Sequence, residues 1–149
     1  MIFEIQFVRE VNQTKKDKMK LILEKEEALA VIHSALWNGG LTELRYCEVV
    51  LKVSREDYKQ ANQELIDGGK TDTICLEDVW VQILRSGKSL QFYDGNDEEM
   101  IEFNLDKAIE ELSKKDAVSL VLMATEGDDD ACTGTDLLQF CLYGEVIFG

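Results

Sequence analysis

The sequence predicts an α+β fold in which antiparallel strands pack against several amphipathic helices, as two small lobes or one compact domain. Stretches of period-two alternation interleave with stretches of helical period along the 149 residues. A content of 45% apolar and 31% charged residues suits a globular chain with a sizeable core. Glycine pairs at 39–40 and 68–69 close two of the helical stretches, in a chain that has no proline.

Residues 2–8 set Ile2, Glu4 and Gln6 against Phe3, Ile5 and Phe7, a strand by alternation. After the polar loop Asn12 to Lys18, Met19–Leu23 is a second short strand. From Glu24 the period becomes helical through Ala28, Val31, Ile32, Ala35 and Leu36, with Gly39-Gly40 as the stop. Tyr46 to Val53 alternates again, with Cys47, Val49, Leu51 and Val53 on one face. Ser54 then caps a helix carrying Tyr58, Ala61 and Leu65, which ends at Gly68-Gly69. Residues 1–69 thus read as a β(β)αβα lobe.

Residues 70–149 read as an α-hairpin-α-α lobe. Leu76, Val79, Trp80, Ile83 and Leu84 mark the clearest amphipathic helix. Leu90–Tyr93 and Met100–Phe103 form a hairpin around Asp94-Gly95-Asn96-Asp97, and Asn104 caps the helix of Leu105, Ala108, Ile109 and Leu112. Residues 117–124 fit a strand or a buried helix equally. A last helix runs through Leu137, Leu138, Cys141 and Leu142 towards Val146-Ile147-Phe148. This apolar ending is read as core, or alternatively as a homodimer surface through Leu138, Leu142 and Phe148.

Charge is the most informative quantity. The net charge is −14, divided as 11 basic and 12 acidic residues in 1–70 against 5 and 18 in 71–149. A basic stretch, Lys15, Lys16, Lys18 and Lys20, sits in the near-neutral half. The field of the acidic half repels nucleic acid and anionic membranes and attracts a basic protein. Asp94, Asp97, Glu98, Glu99, Asp128, Asp129, Asp130 and Asp136 are the candidate interaction residues. The sharpest form of this reading is a DNA mimic. The alternatives are a divalent-metal-dependent enzyme using the acidic loops, with Asp128, Asp130 and Asp136 as ligands, and acidity that serves only solubility. Relief of repulsion predicts that replacing Asp128, Asp129 and Asp130 together by Asn leaves or raises stability.

Catalytic motifs fail one by one. Gly69-Lys70-Thr71 resembles the end of a phosphate-binding loop, but Glu64 stands where the first glycine belongs. EF-hand registers starting at Asp94 or Asp128 place Glu99 or Thr133 at the turning glycine, and Leu105 or Gln139 at the closing glutamate. The cysteines at 47, 75, 132 and 141 form no CxxC, and His33 is the single histidine, so no zinc set is expected. They read as reduced thiols, small core residues except Cys132, which the adjacent acidic run makes a poor nucleophile. His33 reads as a boundary residue, and Trp37 and Trp80 as core. No catalytic, cofactor or metal residue is expected, so the reading is non-enzymatic. No apolar run approaches the ~18 residues of a membrane span, and the N-terminus has no leader pattern, so a cytoplasmic location is expected.

The run Cys75-Leu-Glu-Asp-Val-Trp-Val-Gln-Ile-Leu84 followed by a hairpin, and the ending Asp136-Leu-Leu-Gln-Phe-Cys-Leu-Tyr-Gly-Glu-Val-Ile-Phe-Gly149, resemble small uncharacterised accessory proteins of bacterial conjugative elements and prophages. The resemblance covers roughly residues 70–149 and carries no known activity or site residues. It implies a cytoplasmic bacterial protein borne on a mobile element.

Overall fold

The N-terminal alternation forms an antiparallel ribbon of β1 (Glu4–Arg9) and β2 (Asp17–Ile22), with Glu4 opposite Ile22 and Arg9 opposite Asp17. The structure is a computed structural model that describes residues 4–9, 17–70 and 72–149, with side chains from residue 22 onward. Ile2, Phe3 and most of the expected loop, including Lys15 and Lys16, lie outside the described residues.

Helix α1 (Lys25–Ala35) begins where the period changes. The Glu27 carboxylate accepts the Glu24 amide at 3.1 Å, and Ala28, Leu29, Val31, Ile32 and Ala35 are buried. The expected stop at Gly39-Gly40 is present. Asn38 (φ −78°, ψ 19°) and Gly39 (φ +87°, ψ 8°) leave helical geometry, and a second helix, α2 (Leu41–Tyr46), starts directly after them. Gly40 returns to helical dihedrals as the first residue of that restart. Gly40 also lies against Gly134: a Cβ on it would meet the Gly134 carbonyl carbon at 3.0 Å and the Ala35 oxygen at 2.5 Å. Trp37, expected in the core, is 62% exposed, because Leu36 and Gly40 occupy the buried side of the turn.

Tyr46 ends α2 rather than starting a strand, and β3 (Val49–Lys52) comes next. Ser54 Oγ accepts the Asp57 amide at 3.1 Å and caps α3 (Arg55–Asp67), which Gly68 and Gly69 close. In α4 (Leu76–Arg85), Val79, Val81, Ile83 and Leu84 are buried. Leu76, expected on that face, sits in the exposed first turn. The hairpin forms as β4 (Leu90–Asp94) and β5 (Glu99–Phe103). Phe92 and Phe103 from its buried face stack at 5.7 Å between ring centroids.

Strand β3 pairs antiparallel with β4, giving the sheet order β3-β4-β5. The sheet therefore crosses the expected boundary at residues 69–70. One hydrophobic core runs from Leu23 to Leu142 and draws on both halves. Asn104 Oδ1 accepts the Lys107 amide at 2.8 Å and caps α5 (Leu105–Leu112). The ambiguous stretch is helical, a 3₁₀ turn over Lys115–Ala117 and then α6 (Val118–Glu126), ended by Gly127 at φ +77°.

Helix α7 (Ala131–Tyr143) packs against α1, α2, α5 and α6, and nine of its 13 residues are buried, so it is the axis of the core. Leu138 and Leu142 face this core and are withdrawn from any dimer surface, while Phe148 packs edge-on against Tyr143. The tail is held by buried Gln139, whose Oε1 accepts the amides of Ile147 and Phe148 at 2.8 Å each. No helix among the described residues is long and apolar enough to cross a membrane.

Candidate functional site

Helix α7 separates the two acidic loops. At ~1.5 Å rise per residue it holds its ends ~20 Å apart, beyond the ~8 Å screening length at physiological salt, so the loops act independently.

At the C-terminal end of α7 lies the β4–β5 turn. Asp94 is 2% exposed and does not present its carboxylate to a partner. Its Oδ2 accepts the Tyr143 hydroxyl at 2.8 Å, and its Oδ1 accepts the Asn96 amide at 2.9 Å and side-chain nitrogen at 3.0 Å. Burial pushes this carboxyl up, but the donors of Tyr143, Asn96 and Asp97 outweigh it and hold it below the usual range. Asp97, Glu98 and Glu99 are exposed around it. Glu48 joins them: its carbonyl accepts the Gly95 amide at 2.8 Å, and its own side chain is exposed. Glu48 (φ +65°) and Glu98 (φ +53°) are the two non-glycine residues with positive φ in the described chain. Among the described residues no lysine or arginine forms an ion pair with these four carboxylates.

At the N-terminal end of α7 the carboxylates serve the fold. Asp129 accepts the Ser34 hydroxyl at 2.5 Å and the Asn38 side-chain amide, tying this loop to the end of α1. Asp130 caps α7, accepting the Thr133 amide at 2.9 Å and hydroxyl at 3.1 Å, and these bonds hold its carboxyl below the usual range. Asp136 is half-buried, its carboxyl pushed up by burial and by Asp130. Asp128, Asp130 and Asp136 do not gather three oxygens around a common point, so the alternative acidic-loop metal site does not assemble.

A different cluster forms where α1 meets the start of α4. His33 Nε2 lies 3.0 Å from Asp78 Oδ1, and Lys70 Nζ lies 3.3 Å from Asp78 Oδ2. Asp78 also accepts the Cys75 amide at 3.1 Å, while the Cys75 sulfur accepts the Asp78 amide, a reciprocal cap at the helix start. Burial pushes the Asp78 carboxyl up, but Cys75, His33 and Lys70 more than reverse it and bring it to about 2. Burial and the adjacent Asp78 and Glu77 raise the Cys75 thiol, the wrong direction for a nucleophile. The cluster opens on a groove of about 350 Å³ lined by Glu26, Leu29, Leu65, Val81 and Arg85. Arg85 closes one side through an ion pair to Glu26 at 3.0 Å.

Sequence reasoning missed this cluster because His33 and Asp78 are 45 residues apart. The one local signal is the Cys75-x-x-Asp78 spacing at a helix start. The other cysteines are also unpaired, with Cys141 buried, Cys47 half-buried and Cys132 exposed. Comparison with protein-family models, curated proteins and solved structures finds no match.

Proposed function

We propose that this protein is a non-enzymatic interaction protein whose β4–β5 turn engages a basic segment of another protein. One observation carries the reading: two exposed glutamates, Glu48 and Glu98, adopt left-handed backbone at the same tip. A β-carbon in that region costs ~1–2 kcal/mol per residue, which glycine avoids. Strained residues concentrate at functional sites, and here the strain holds negative charge at the tip. Glu48, Asp97, Glu98 and Glu99 add four like charges without a described counter-ion. Such a focus steers a cationic ligand and sets its association rate. An accessory role on a mobile element, which the resemblance of residues 70–149 implies, would use binding of this kind.

The test is binding of a lysine-rich peptide, followed by fluorescence anisotropy at low salt. The triple variant Asp97→Asn, Glu98→Gln, Glu99→Gln is compared with Asp106→Asn, Glu110→Gln, Asp116→Asn, which removes the same charge from exposed positions elsewhere. The turn variant is expected to bind at least about tenfold more weakly, mainly through slower association. Equal weakening by both triples would make the acidity a diffuse, solubilising surface.

A further inference from the structure

We propose that His33, Cys75 and Asp78 bind one divalent ion of the zinc class, stapling α1 to the start of α4. The imidazole, thiol and carboxylate each offer one donor atom, and the three donors lie within 4.8 Å of one another. Metal–ligand bonds of about 2.0–2.3 Å put the corners of a tetrahedral site about 3.3–3.8 Å apart. The donors therefore need to draw in by no more than about 1.5 Å to hold an ion. The donor set is nitrogen, sulfur and oxygen, which suits zinc and its neighbours, whereas magnesium and calcium take oxygen only.

The scaffold is already fixed. Val79 and Val81 of α4 and Leu29 and Ile32 of α1 are buried in the same core, so the backbones carrying the donors are held by packing. The reciprocal cap sets Cys75 and Asp78 relative to each other. Thiolate and carboxylate together neutralise a divalent charge. With three protein ligands, a fourth position is left for solvent.

Lys70 gives the site a distinctive signature. Its ammonium holds Asp78 Oδ2 at 3.3 Å and competes with an incoming cation, while Oδ1 faces His33. Removing this lysine should tighten metal binding, an effect that a purely structural ion pair would not produce.

Cobalt(II) is the probe, because thiolate ligation gives a near-ultraviolet charge-transfer band and tetrahedral geometry gives visible bands. One equivalent is expected to produce both in the wild-type chain, and zinc should displace it. Cys75→Ser should abolish the charge-transfer band and His33→Gln should weaken binding at least about tenfold. Lys70→Ala should strengthen it several-fold, and Cys132→Ser should change nothing. His33→Gln and Lys70→Ala leave the reciprocal cap in place, the hydroxyl of Cys75→Ser can accept the same amide, and circular dichroism checks that each is folded. The proposal is overturned if no band appears, if the band survives Cys75→Ser, or if it depends on exposed Cys132 instead.

Discussion

The Tyr143 hydroxyl donates to Asp94 Oδ2 at 2.8 Å, joining the last turn of α7 to the last residue of β4. This bond fastens the central helix to the sheet and supplies a buried carboxylate with one of its donors. It also pushes the tyrosine hydroxyl upward, after burial as the larger cause.

Tyr143→Phe is expected to cost about 1.5–3 kcal/mol at neutral pH, the range for hydrogen bonds to charged groups. The folded Asp94 carboxyl lies below its ordinary value, so its ionised form stabilises the fold above the unfolded range near pH ~4. That contribution is lost as pH falls through the lowered folded value. Urea unfolding should show a wide gap between wild type and Tyr143→Phe at neutral pH that narrows in acid. A gap independent of pH would contradict the assignment.

Glu98→Gly should raise stability by about 1 kcal/mol, since relief of the left-handed strain exceeds the extra entropy of the unfolded chain. The same change should weaken binding of the lysine-rich peptide. Chemical denaturation and anisotropy on one preparation would read both. A loss of stability would mean that the Glu98 side chain serves the fold, not a partner.

Gly134→Ala should destabilise by about 1–3 kcal/mol, as overpacking does where the neighbour cannot yield. A Cβ there meets the backbone oxygen of Ala35 at 2.8 Å, and backbone in a packed helix has little freedom to move. Thermal unfolding measures the drop. An unchanged midpoint would show that α1 and α7 can separate slightly at no cost.

Replacing Asp128, Asp129 and Asp130 by alanine is expected to destabilise the protein, because two of the three carboxylates make hydrogen bonds that outweigh the relief of repulsion. Asp130→Ala removes the α7 cap and should lower the melting temperature, and Asp129→Ala breaks the link to Ser34 and Asn38. Asp128→Ala, at an exposed position, should be neutral or slightly stabilising. Melting the three single variants separates repulsion from capping.

Much of the fold is legible in residues whose signal is local. Ser54 and Asn104 cap the helices that their positions imply, and the hairpin strands obey their alternation. The Gly39-Gly40 pair marks a stop, but nothing local shows that α2 starts directly after it. Nor does it show that Gly40 lies against Gly134, 94 positions further on. The acidic loops are visible as composition, but the sequence does not reveal that Asp94 turns inward to Tyr143 or that Asp129 reaches Ser34. The His33–Cys75–Asp78 cluster is likewise a product of helix packing, not of spacing.

The sheet order β3-β4-β5 sets a timetable for the nascent chain. Val49–Lys52 leaves the ribosome well before Leu90–Asp94 exists, and the apolar face of α1 waits for α7, roughly a hundred residues later. At about 5–20 residues per second, that face spends about 5–20 s without its partner. The front half cannot mature alone, so stalled or truncated translation products expose Leu29, Val31 and Ile32 to chaperones and proteases. Quality control in the cell would thus read the arrival of α7 as the closing of this core.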